Sequence, residues 1–132
     1  MDLARTTELL SRPVAQLLKT EDLSPAQYNV LRILRGAPQG LTCSEIGSRM
    51  ITRDPDITRL LDRLEKRRLI SRNRDDKDRR VVLTRITEGG LDLLARLDRP
   101  IQDLHRRLLG PLGPERLQAL AQILEACRSN LG

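Results

Sequence analysis

Residues 53–90 read RDPDITRLLDRLEKRRLISRNRDDKDRRVVLTRITEGG, and they divide into a helix and a charged hairpin. Asp54 is a good N-cap, Pro55 a good first helical residue and Asp56 a first-turn acid, so a helix is expected to begin here. Ile57, Leu60, Leu61 and Leu64 recur at i, i+3, i+4 and i+7, which gives that helix one apolar stripe. Its other face carries Thr58, Arg59, Asp62 and Arg63, with Arg53 just ahead of the cap. Beyond it, residues 69–72 and 81–86 have strand propensity, and residues 73–80 between them are rich in turn formers and charge. Two strands joined by such a loop predict a β-hairpin.

Working outward, Leu3, Leu10, Val14, Leu17 and Leu18 predict a first helix over residues 2–19, kinked at Pro13 or restarted after Ser11. Ser24 and Pro25 open a second helix, continued by Tyr28, Leu31, Ile33 and Leu34 and stopped before Gly36. Leu41 is placed in a brief strand, and a short third helix over residues 44–50 turns Ile46 and Met50 inward. Two short helices, a turn and a basic-faced helix make a helix-turn-helix. Downstream, Leu91, Leu94, Leu97, Ile101, Leu104 and Leu108 predict a long helix over residues 88–109, with Pro100 as a kink. A last helix opens at Pro114, and its Leu117, Leu120, Leu124, Cys127 and Leu131 form a seam suited to packing on another helix.

The 132 residues suffice for one folded unit with a real core. Tyr28 is the sole aromatic residue, so that core is aliphatic, which favours packed helices over a sheet sandwich. Residues 49–85 hold thirteen basic against seven acidic side chains, and so carry the whole formal net charge of +6. Charge so localised is the footprint of a polyanionic partner. Cys43 and Cys127 belong to no CxxC or Cys/His cluster, and His105 has no triad or metal partners. With no Gly-rich phosphate loop either, an enzyme is disfavoured, and no cofactor or metal is expected. The absence of an 18-residue apolar run or a signal-peptide layout in residues 1–7 leads to the expectation of a cytoplasmic protein with no membrane association.

In the major groove of double-stranded DNA, Arg59 and Arg63 suit guanine, and Thr58 suits a thymine methyl or a phosphate. Arg53 lies beside them, and Asp56 or Asp62 either accepts from cytosine or orients a neighbouring arginine. The alternative for this face is a solvated surface, with Asp62 and Lys66 paired at i, i+4. The hairpin supplies Arg72, Arg74, Lys77, Asp78, Arg79 and Arg80. Arg80 is the leading candidate to enter the narrow minor groove, aimed by a bidentate pair with Asp78. A different class of function, a basic interaction module docking an acidic protein, fits the same charge. Cys43, near a helix start, is either a redox-reactive thiol or an ordinary half-buried one.

The run Asp78-Arg79-Arg80, then Val81-Val82-Leu83, then Ile86-Thr87-Glu88-Gly89-Gly90 resembles the wing of the multiple-antibiotic-resistance regulators, the MarR family. Residues 57–65 resemble that family's recognition helix and residues 23–31 its second helix, so the likeness spans nearly the whole chain. It implies a mainly α (α+β) winged helix-turn-helix, with a lobe at residues 23–87 and a helical dimerisation region at 1–20 and 88–132, in a single domain of residues 1–132. It further implies a homodimer that represses transcription from a pseudo-palindromic operator. Many members are released by a small-molecule effector, often phenolic or anionic, bound between the dimer region and the lobe. The peroxide-sensing branch uses a cysteine in the first helix and the urate-responsive branch a tryptophan there; this chain has neither. It also departs from the family at Arg68, where glycine is frequent, so a different turn into the wing is expected, and its first helix is short.

Overall fold

Described over residues 2–131, the computed structural model folds these patterns into six α-helices and one β-hairpin. In chain order they are α1 (Leu3–Lys19), α2 (Pro25–Arg35), α3 (Cys43–Arg49), α4 (Ile57–Lys66), β1 (Ile70–Arg74), β2 (Val82–Ile86), α5 (Glu88–Leu109) and α6 (Pro114–Asn130). The ends of the expected single domain, residues 1 and 132, lie outside the described residues. The strands pair antiparallel from Ile70 opposite Ile86 to Arg74 opposite Val82. Leu41 joins this hairpin through a single bridge, exchanging backbone hydrogen bonds with the buried Thr84 at 3.0 and 2.8 Å.

Local chemistry explains most of the boundaries. Ser24 and Gln27 form a capping box at the start of α2, and Thr42 and Glu45 form another at α3, so α3 begins at Cys43 and not Ser44. Hydrogen bonding to Thr42 holds the Glu45 carboxyl below its usual range. At α4 the cap is Asp56, whose carboxylate accepts from the Arg59 amide at 3.2 Å. Asp54, the expected cap, instead accepts from the Asp56 amide at 2.8 Å, which closes a turn and delays the helix. Both α1 and α5 run unbroken through Pro13 and Pro100, so the restart after Ser11 is absent. In a helix this long, one lost hydrogen bond is outweighed by the packing on either side.

The core is aliphatic. Leu18, Val30, Leu31, Leu34, Ile46, Leu61, Leu64 and Leu94 are fully or almost fully buried in one cluster that joins α1, α2, α3, α4 and α5. Truncating any of these leucines to alanine would cost about 2–5 kcal/mol. On α5 the buried stripe is Gly90, Leu93, Leu94, Leu97, Ile101 and Leu104; Leu91, expected inside, is 42% exposed. The register is set by Gly90, where a Cβ would collide with the Leu69 carbonyl and lie 2.6 Å from Ile86 Cγ1. Helix α6 buries none of its residues within the chain, and Leu120 and Ile123 are exposed.

The turn from α4 into β1 corrects the expectation drawn from Arg68. Arg68 adopts a left-handed φ of 59°, its amide donates to the Glu65 carbonyl at 2.9 Å, and the Leu69 amide donates to Leu64 at 3.1 Å. These bonds close the helix terminus that glycine ordinarily makes. The Thr87 hydroxyl, which caps α5, also donates to the Arg68 carbonyl at 2.6 Å. The backbone geometry is thus kept and the arginine accommodates it.

Candidate nucleic-acid interface

Burying Leu60, Leu61 and Leu64 against the core turns the opposite face of α4 outward. Thr58, Arg59, Arg63 and Lys66 are exposed there, and Arg53 is exposed in the segment that leads in. Asp56 serves as the helix cap, so it positions the first turn and the Arg59 backbone. Asp62 does not pair with Lys66. It accepts from Arg72 at 2.6 Å, and Glu65 accepts from the same guanidinium at 2.8 Å.

That pair of contacts reassigns Arg72. Its side chain is 23% exposed and reaches from β1 back to α4, bracing the hairpin against the helix in place of facing a phosphate. Hydrogen bonding to Glu65, then to Asp62, raises the Arg72 pKa further, and the Arg72 hydrogen bond holds the Glu65 carboxyl below its usual range. One guanidinium thereby serves both acidic side chains on this part of α4. Arg59, Arg63 and Lys66 have no ion-pair partner among the described residues.

The wing tip is built by short-range hydrogen bonds. The Asp75 amide donates to Val81 at 2.8 Å and the Val81 amide to Asp78 at 3.0 Å, so the loop folds on itself. Asp78 accepts from the Arg80 amide at 3.1 Å, and its two oxygens accept from Arg80 Nε and an Arg80 terminal nitrogen at 3.2 and 3.4 Å. The expected bidentate pair is present, and it holds the Asp78 carboxyl below its usual range. The Arg80 side chain remains 91% exposed, so the pair restricts its rotamers without hiding its charge. Arg74 donates to the Arg79 carbonyl at 2.8 Å and stiffens the tip, while Lys77 and Arg79 project outward.

Two concavities flank these elements. A groove of about 900 Å³ runs between α1, the start of α2 and α4, and is lined by Arg12, Lys19, Arg59, Arg63, Lys66 and Arg67, with Asp22, Asp54 and Asp56. A cavity of about 560 Å³ lies between α1, α2 and α5, walled by Leu10, Val14, Leu18, Ile101 and Leu108, with Glu8, Ser11, Tyr28, Asn29, Arg32 and His105 as its polar groups. The Arg32 guanidinium sits 5.8 Å from the Tyr28 ring centroid. Asn29 Oδ1 also accepts from the Ile51 amide at 2.8 Å, which ties this wall to the segment leading into α4.

Cys43 is exposed at the first position of α3 and Cys127 is exposed on α6. No cluster of three metal-ligating side chains occurs among the described residues, and no helix there is long and apolar enough to cross a membrane. Sequence reasoning missed Arg67, whose guanidinium donates to the Asp22 and Glu21 carbonyls at 2.6 and 3.1 Å. Nothing local distinguishes it from its basic neighbours, because its partners lie more than forty residues away.

Comparison with known proteins agrees with this geometry. The family model described as the MarR family matches residues 23–82, from the start of the helix-turn-helix to the wing. The HTH-type transcriptional repressor IacR of Pseudomonas putida is 30% identical over 129 residues, covering 98% of this chain and 77% of that protein. A MarR transcription factor from Planctomyces limnophilus is 37% identical, with a TM-score of 0.72 over 95% of this chain and 91% of that one. The transcriptional repressor CouR, solved bound to a 23-mer DNA duplex, is 31% identical with a TM-score of 0.85, covering 96% of this chain and 89% of CouR. A winged helix-turn-helix with an uncommitted basic helix face and an aimed wing arginine, matched at this identity and coverage, places the chain in the MarR family of DNA-binding transcriptional regulators.

Proposed function

We propose that the chain is a cytoplasmic homodimeric repressor that binds a pseudo-palindromic operator with α4 in the major groove and the wing in the minor groove. The observation that carries this reading is the disposition of charge. Asp62 and Glu65 share Arg72, and Asp78 aims Arg80, so Arg59, Arg63 and Lys66 on the helix face and Arg80 on the wing are left as exposed cations. In this reading Arg59, Arg63 and Thr58 contact base edges, and Arg53, Arg74, Lys77 and Arg79 supply phosphate contacts. Dimerisation would use the α1, α5 and α6 regions, residues 1–20 and 88–132. The support for it is that α6 leaves Leu120 and Ile123 without a partner in its own chain.

Release would come from a small anionic effector in the 560 Å³ cavity. That volume falls in the range of small-molecule sites, and Arg32 supplies a cation beside an apolar wall. Hydroxyl-radical footprinting on a duplex selected from a random pool, with stoichiometry measured by sedimentation, tests the proposal. Two half-sites about one helical turn apart, each flanked by a minor-groove protection and bound by two chains, are expected. A single protected half-site bound by one chain, or binding to an acidic protein with no duplex retained, would remove it.

A further inference from the structure

The helix that meets DNA is joined to the rest of the chain by an arginine that the DNA-contact assignment does not use. Arg67 is the C-cap residue of α4, and its guanidinium donates to two consecutive carbonyls, Asp22 at 2.6 Å and Glu21 at 3.1 Å, in the turn between α1 and α2. Glu21 is itself tied to α5, since its carboxylate accepts from Arg96 at 3.3 and 3.4 Å. The turn is stiff: Asp22 takes a φ of 53° and the Leu23 amide donates back to Leu18 at 3.1 Å. The far end of the joint, at Arg68, is closed the same way. The apolar side of α4 packs on α2, α3 and β1. Among the described residues, the one further side-chain hydrogen bond near this joint is that of the Thr87 hydroxyl, the cap of α5, to the Arg68 carbonyl just past the end of α4; none other reaches the α1–α2 turn from α4 or its cap.

We infer that Arg67 is a positioning residue that sets the tilt of α4 against α1 and α5, and through it the separation of the two recognition helices in the dimer. This rests on the proposed dimeric operator complex. The lever is long enough to matter: α4 spans about 15 Å at 1.5 Å per residue, so a tilt of about 10° at its cap moves its first turn by roughly 2.5 Å. Hydrogen bonds to base edges tolerate only a few tenths of an ångström around their preferred length. The planar fork of an arginine engages both carbonyls at once and so fixes an angle, which a lysine holding one carbonyl does less well.

The test uses the duplex selected by the full chain, remade with its half-sites moved apart or together by one base pair. For the unaltered protein either change is expected to weaken binding at least tenfold, because each base pair shifts a half-site by about 3.4 Å and rotates it by roughly 35°. Arg67→Gln is expected to bind the original duplex about tenfold more weakly. It should also respond less than threefold to either spacing change, with an unaltered slope of log affinity against log salt. Arg67→Lys should fall between the two. Should Arg67→Gln be too unstable to purify, Arg96→Gln loosens the same joint from its exposed α5 side and should flatten the spacing profile in the same direction. A sharp spacing profile retained in these variants would overturn the inference while leaving the operator reading intact, as would a salt slope reduced by about one unit, the mark of a direct phosphate contact. An unaltered protein with no spacing preference would overturn the operator reading and this role with it.

Discussion

Arg68 keeps a left-handed backbone that costs an L-residue about 1–2 kcal/mol, and its side chain is exposed. Arg68→Gly is therefore expected to raise unfolding stability by about 1 kcal/mol, read as a thermal midpoint a few degrees higher. Gly90 is the opposite case, because a Cβ there meets the Leu69 carbonyl and Ile86. Gly90→Ala should lower stability by about 1–3 kcal/mol in denaturant unfolding. At the wing, Arg80→Ala should weaken operator binding and lessen the salt slope by about one unit, whereas Asp78→Asn, which keeps the cation, should weaken binding with the slope unchanged. The Asp78–Arg80 pair was legible in the sequence because its members are two residues apart and the loop can bring them together alone. Arg72 and Arg67 were not legible, because an arginine reads as a surface cation until the fold supplies its acceptors.

Among the elements, apolar spacing located the helices and strand propensity the hairpin; most of the helical stripes are buried in the core, whereas the seam of α6 stays unburied within the chain. Boundaries were less legible where two side chains compete for one role. Asp54 and Asp56 both suit a cap, and the choice falls to Asp56 because the Asp54 carboxylate is taken by the Asp56 amide. The strand ends likewise moved, β1 running on to Arg74 because its ladder continues to Val82. The brace between hairpin and helix has a pH signature. The Glu65 carboxyl titrates below its usual range because Arg72 hydrogen-bonds its charged form. The stabilisation from this pair is therefore complete above the ordinary carboxylate range of about 4.3 and is lost only as pH falls through the lower folded value. Arg72→Gln should accordingly move the midpoint of acid unfolding, followed by circular dichroism, to higher pH. An unmoved midpoint would mean that the hairpin is held by its ladder and core contacts alone.

For the whole molecule, the count of charge along the chain marked residues 49–85 as the polyanion-facing third, and the fold divides that third into a helix face and a wing. The count could not say which cations were free, because that depends on which carboxylates the fold turns toward them. The exposed apolar residues of α6 had a plainer signature, a leucine seam suited to another helix, and the fold leaves that seam unfilled within one chain. Specific readout and electrostatic attachment then separate by sequence dependence: Arg59→Ala should relax the preference for the selected duplex over its scrambled counterpart, while Arg80→Ala should weaken both alike. The most direct measurement is the affinity of the unaltered protein for the selected inverted repeat and for a scrambled duplex of equal length, across a salt series. The repeat is expected to bind at least about a thousandfold more tightly at physiological salt, with log affinity falling steeply and linearly against log salt for both duplexes. Equal affinity for the two, or an affinity indifferent to salt, would contradict the assignment of α4 and the wing to operator recognition.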